Sequence, residues 1–164
     1  MTPAAATREL LDSMRRDVAE LVYATVLRLD AKDFVGWLEL CTNDFTYAIR
    51  AWSPEIRKDM TWLEHDREGI DTLVRQLPRH NTDQSTFTRH ATVYAVAVDE
   101  DGRTATVVTA VSIYRTELDG GRTEIFAVGR YHDQAQLGAD GWRLRSRELR
   151  LDTRSLGIGT HYPL

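Results

Sequence analysis

The sequence predicts an α+β domain in which helices cover one face of a curled, mostly antiparallel sheet. Two observations carry this reading. The second half of the chain holds four long β-prone runs, Thr86 to Val98, Thr104 to Glu117, Arg122 to Gln136 and Trp142 to Thr153. The first half holds three stretches whose apolar residues recur at helical spacing. Between the runs stand Asp99-Glu100-Asp101-Gly102, Asp119-Gly120-Gly121 and Gly138-Ala139-Asp140-Gly141. Their Asp-Gly and Gly-Gly pairs supply the positive φ angles of tight hairpin turns, and strands joined by turns this short pair antiparallel. Runs of ~12 residues are about twice the usual strand length, which implies a strongly twisted sheet. In the second run Ala105, Val107, Thr109, Val111 and Ile113 share one side, so that face needs an apolar cover.

The cover comes from the first half. From about Thr7 to Leu29, Leu11, Met14, Val18, Leu21, Thr25 and Leu29 form one stripe of a long amphipathic helix, with charges around the other side. Asp30 stands where an N-cap belongs, and Phe34, Trp37, Leu38 and Cys41 stripe a short second helix. Thr42-Asn43-Asp44 closes that helix, and Phe45 to Trp52 reads as a first strand ended by Ser53-Pro54. A polar excursion through Lys58 and Asp59 follows. A third helix from about Asp66 to Leu77 turns Ile70, Leu73, Val74 and Leu77 inward and is stopped by Pro78. The predicted order is helix, helix, strand, helix, then four strands, in one domain spanning residues 1–164 with 155–164 as a tail.

Composition narrows the function. A chain of 164 residues with 42% hydrophobic content and four tryptophans can bury a sizeable core. A net charge of -4 gives no electrostatic footprint for nucleic acid. The lone Cys41 allows no intrachain disulfide and fits a reducing compartment. No apolar run approaches the ~20 residues of a membrane span, and the start Met1-Thr2-Pro3-Ala4-Ala5-Ala6 lacks the features of a secretion signal. A cytoplasmic protein with no membrane or nucleic-acid partner is expected.

The chemistry is bounded mainly by what does not cluster. His65, His80, His90, His132 and His161 show no metal-ligand spacing, so no metal and no cofactor are expected in this chain. Neither a phosphate cradle nor a nucleophile elbow occurs, and Gly157-Ile158-Gly159 reads as a turn in the tail. The strands do carry Tyr47, Arg89-His90, Tyr94, Tyr114, Tyr131-His132 and Glu148. In a curled sheet several of these could face one cavity, where burial shifts a pKa enough for proton transfer, with Asp44, Tyr47, His90 and Glu148 as candidates. Alternation alone brings no acid and base together, which favours core or interface roles. Trp37, Trp52, Trp62 and Trp142 read as core or interface anchors.

Three segments carry a family resemblance. Arg89-His90 early in a long strand, Glu124-Ile125-Phe126-Ala127-Val128-Gly129-Arg130-Tyr131, and Gly141-Trp142-Arg143-Leu144-Arg145-Ser146-Arg147-Glu148-Leu149-Arg150-Leu151-Asp152 resemble the small, or β, subunits of aromatic-ring-hydroxylating dioxygenases. These belong to the wider group with the cone-shaped fold of nuclear transport factor two, also called cystatin-like. The likeness runs from about Asp17 to the carboxyl end and is weakest between Trp52 and Glu64.

The resemblance implies a cone-shaped mixed sheet under three helices. It also implies a structural subunit that supports a larger α subunit, generally as α3β3, in aromatic compound catabolism. That α subunit would hold a Rieske [2Fe-2S] cluster and a mononuclear iron, whose ligand patterns this chain lacks. A homotrimer of this chain is the other assembly expected. The alternative is a free-standing isomerase, dehydratase or cyclase working in the cone's pocket.

Tyr114 and Trp142 are expected near subunit contacts. The tail's Leu156, Ile158, Tyr162 and Leu164 are too apolar for a solvated end, since each Leu or Ile removed from water contributes ~1.5–3 kcal/mol. The tail is expected to cross a neighbouring subunit with Tyr162 as anchor, the alternative being that it folds back on its own domain.

Overall fold

Six strands form one sheet in the order β2-β1-β6-β5-β4-β3, crossed on one side by three helices. The computed structural model describes residues 3–80, 83–157 and 162–164. The helices are α1 (Pro3–Asp30), α2 (Phe34–Glu39) and α3 (Arg67–His80). The strands are β1 (Cys41–Ser53), β2 (Lys58–Asp66), β3 (Thr86–Val98), β4 (Thr104–Thr116), β5 (Thr123–Gly138) and β6 (Gly141–Leu151). All neighbours pair antiparallel except β1 and β6, which are parallel.

Alternation decides which face is covered. Ala105, Val107, Thr109, Val111 and Ile113 of β4 are all buried, and Ala127, Tyr131 and Ala135 continue that face on β5. Val18, Leu21, Val22, Val26 and Leu29 give α1 the stripe that covers it, and the buried Thr25 hydroxyl is satisfied by donating to Val22 O at 2.6 Å. Helix α2 contributes Trp37, packed edge-on to Phe45 and Tyr47 with ring centroids 5.7 and 5.8 Å away. Ile70, Val74 and Leu77 bury the inner side of α3.

Gly129 shows why β5 and β6 can approach there. A Cβ at that position would stand 2.2 Å from Arg150 O, so only glycine fits where β5 lies against its paired neighbour β6. At the β4–β5 turn Gly120 and Gly121 take φ of 78° and 62°, the left-handed pair that this hairpin needs.

The first half of the chain departs from expectation in four ways. The segment after Pro54 is not a loop: Lys58–Asp66 is an edge strand paired antiparallel with β1. β1 begins at Cys41, so Thr42, Asn43 and Asp44 are strand and not a helix end. The cap of α2 is Asp33, whose carboxylate accepts from Gly36 N at 2.9 Å. Asp30 closes α1 instead and is engaged by Arg89. Finally, α3 runs past Pro78 to His80, with Asp66 capping its start by accepting from Gly69 N at 2.8 Å.

Candidate functional site

The proposed proton-transfer residues do not converge. Asp44 is exposed on β1 and pairs with Arg145 at 3.3 Å. The neighbouring Thr42 side chain and the Arg145 guanidinium hold its carboxyl below the ordinary range. His90 is exposed on β3 and packs tilted against Tyr114 of β4 with ring centroids 4.9 Å apart, both on the face away from the helices. Glu148 lies on that same outer face of β6, three strands from β3 in the sheet order. Tyr47 is the exception, because it points inward. Its buried hydroxyl donates to Leu164 O and accepts from Leu164 N, both at 2.9 Å. Burial pushes its phenol above the ordinary value.

Glu148 is held by cations and has no proton to transfer at neutral pH. Arg50 Nη1 donates to one of its oxygens, and Arg150 Nη1 donates to the other at 2.7 Å. The network extends through Arg50 to Glu64 at 2.8 Å and through Arg150 to Asp59 at 2.7 Å, crossing β6, β1 and β2. Burial pushes the Glu148 carboxyl up, but the two arginines outweigh it and hold it below the ordinary value. A cleft of about 210 Å³ borders Arg50, Glu64 and Glu148. Both of its carboxylates, Glu64 and Glu148, are ion-paired to arginines.

The interior holds a polar cluster that strand alternation should have exposed. Arg147 reaches Asp133 with two bonds, Nε at 2.8 Å and Nη2 at 2.7 Å, and both side chains are 0% exposed. The guanidinium lies 4.0 Å from the centroid of the Tyr131 ring. Buried Arg89 donates to Asp30 at 2.6 Å and to Pro163 O at 2.7 Å. Arg147 shares the two-residue period of Leu149 and Leu151, and Asp133 that of Tyr131 and Ala135, so both had to face inward. Cys41 is buried as well. Burial pushes its thiol up to about 12, leaving it inert as a nucleophile.

The described ends of the tail fold back on their own domain, the alternative reading of this segment. Leu156 and Leu164 are buried in the core, so neither offers a side chain to a neighbour. Tyr162 stacks on Phe34 with centroids 5.7 Å apart, beneath Lys32 Nζ at 5.3 Å. Ile158 lies outside the described residues. Tyr114 is half-buried on the outer face, and Trp142 lines a groove beside α1. Trp37 is core, while Trp52 and Trp62 are exposed.

Among the described residues, no three His, Cys, Asp or Glu side chains stand together to hold a metal ion. None of the described helices is long and apolar enough to cross a membrane.

Comparison with known proteins agrees with this arrangement. Residues 25–157 match the family described as ring hydroxylating beta subunit. The chain is 39% identical over 167 residues to the methanesulfonate monooxygenase hydroxylase subunit beta of Methylosulfonomonas methylovora, covering 98% of this chain and 90% of that one. It is 34% identical over 147 residues to the 2-aminobenzenesulfonate 2,3-dioxygenase subunit beta of an Alcaligenes species, covering 90% and 97%. The solved structure of naphthalene 1,2-dioxygenase with indole bound in its active site contains a chain of the same fold. The TM-score is 0.78 at 17% identity, over 99% of this chain and 95% of that one. An inner face closed by the chain's own residues and a match over most of its length lead to one conclusion: the chain belongs to the beta subunits of ring-hydroxylating oxygenases.

Proposed function

We propose that this chain is the non-catalytic subunit of its oxygenase and acts by holding the larger α subunit in a working assembly. The supporting observation is the closed interior: Arg147, Asp133, Arg89 and Tyr47 are committed to each other, to Asp30 and to the tail. The outer candidates Asp44, His90 and Glu148 stand apart. A Rieske [2Fe-2S] cluster and a mononuclear iron in the α subunit would supply the oxygen chemistry. The residues of this chain supply contact surface. The assembly is read as α3β3 in the cytoplasm.

Two relatives above 30% identity are named for sulfonate substrates. The substrate class proposed for the complex is therefore an organosulfonate. The test is to purify the chain alone and with its large subunit, measuring mass, iron and oxygen uptake with methanesulfonate, 2-aminobenzenesulfonate and naphthalene. The expected result is no stoichiometric iron in the lone chain, a mixed complex with iron, and uptake with a sulfonate. One iron per lone chain, or full turnover by the large subunit without this chain, would overturn the supporting role. Uptake with naphthalene alone would overturn the sulfonate reading.

A further inference from the structure

A groove and a hairpin tip at opposite ends of the sheet have complementary chemistry, and among the described residues no neighbouring element occupies either. The groove, about 490 Å³, runs between the first half of α1 and the β5–β6 hairpin. Leu10, Met14, Leu21 and Trp142 give it an apolar floor, and Leu10 is 57% exposed although it is a large apolar side chain. Asp17 and Glu20 stand on its rim. Neither carboxylate enters an ion pair among the described residues.

The tip is the β1–β2 turn, within the stretch where the family resemblance is weakest. Ile56 projects from it with 60% exposure, followed by the exposed cations Arg57 and Lys58, which also lack an ion pair among the described residues. The one acid of the turn is drawn back. Glu55 accepts from Arg154 at 2.5 Å and from the Ser53 hydroxyl at 2.9 Å. The outward charge of the tip is therefore positive. Arg57 also takes φ 52°, a left-handed conformation that glycine would adopt without strain.

Strand β6 starts beside the groove at Gly141 and runs parallel to β1, with Leu151 opposite Ala51 just before the tip. An 11-residue strand separates the two features by roughly 35 Å at ~3.3 Å per residue, so a chain cannot fill its own groove. We infer that the Ile56 tip of one copy seats in the α1–Trp142 groove of the next, with Arg57 and Lys58 facing Asp17 and Glu20. Such a head-to-tail contact joins two different patches and is completed when the chains close into a ring. This rests on the reading of the chain as an assembling subunit, and three copies would match α3β3. A charge pattern of this kind also fixes register between copies.

The test uses the full chain, alone and with its large subunit, followed by sedimentation. One variant carries Arg57→Glu and Lys58→Glu, a second Asp17→Arg and Glu20→Arg, and a third all four. Each double reversal should weaken self-association by about tenfold or more, as close charge pairs across interfaces do, and the fourfold variant should regain most of it. Arg57→Gly separates binding from folding, because it should weaken association while the melting temperature of the chain holds or rises. Self-association unchanged by either reversal, or no recovery in the fourfold variant, overturns the proposal. So does a wild-type chain that is monomeric alone and keeps the same complex mass when reversed. If groove reversal weakens only binding of the large subunit, the occupant is that subunit and the proposal fails. Charge-dependent self-association in a chain that binds no large subunit would retain this inference and overturn the functional reading instead.

Discussion

The two faces of the sheet differ in what finishes them. On the inner face the charged groups pair within the chain, Arg147 with Asp133 and Arg89 with Asp30 and Pro163, and Tyr47 bonds to Leu164, while the buried Tyr131 hydroxyl and Trp37 indole N–H make no hydrogen bond among the described residues. On the outer face charges pair only laterally, along the ladder from Glu64 through Arg50, Glu148 and Arg150 to Asp59. Among the described residues, no element covers the His90–Tyr114 pair there. A catalytic cone would need its polar groups free on the inside. In this chain the inner charges are engaged with one another, and the proposed contact role rests on that difference.

The comparison can be broken most forcefully at the interior ion pair. Arg147→Met should cost about 3–5 kcal/mol, because it leaves the Asp133 carboxylate buried and unpaired. Adding Asp133→Leu should recover most of that loss, which urea unfolding of the single and double variants would measure. A loss below about 1 kcal/mol, the range of surface pairs, would mean that water reaches the pair and that the interior is not closed.

The next effect concerns the close approach of β5 and β6 at Gly129. Gly129→Ala places a methyl against the backbone oxygen of Arg150 and should cost about 1–3 kcal/mol, typical of overpacking. Thermal unfolding of this variant against Gly138→Ala, whose nearest neighbour would be 3.7 Å away, isolates the contact from a general loss of glycine.

A smaller, pH-dependent effect lies at the loop before β3. Burial pushes the Asp83 carboxyl up, but hydrogen bonds from Ser85 and Arg115 outweigh it and hold it down at about 2, against an ordinary 3.8. A depressed folded pKa stabilises above the ordinary value, and the contribution is lost as pH falls through the folded one. The stability gap between wild type and Asp83→Asn should therefore be constant above about pH 5 and shrink as pH falls toward about 2. A gap that widens in acid would reverse the sign of the argument. The smallest effect belongs to the outer ladder, where Glu148→Gln should change stability by about 0–1 kcal/mol because these pairs are solvent-screened.

Strands announced by Asp-Gly turns were legible in sequence, and β3 has the predicted bounds of Thr86 and Val98. β2 was not. As an edge strand exposed on most of its length, Lys58 to Asp66 has no buried side to impose alternation, so its composition resembles a loop. The start of α2 was misplaced for a different reason. Asp30 and Asp33 are equally good caps locally, and the choice is made by Arg89, 59 residues away in sequence, which engages Asp30. Pro78 falls in the last turn of α3, near enough to its end that the helix continues two residues further. At the site, the polar strand residues were visible but their partners were not. Only the strand register places Arg147 opposite Asp133 and leaves Glu148, one residue on, outside.

The central claim, that the interior is closed and the outer residues act by contact, is tested most directly by turnover of the assembled complex. Asp44→Asn, His90→Ala and Glu148→Gln are combined in this chain, the complex with the large subunit is purified at its normal mass, and kcat is measured at saturating substrate. The account predicts kcat unchanged within about twofold, since removing a general acid or base would cost on the order of a hundredfold or more. A hundredfold fall in kcat with mass and iron content intact would contradict it and make this chain a catalytic partner.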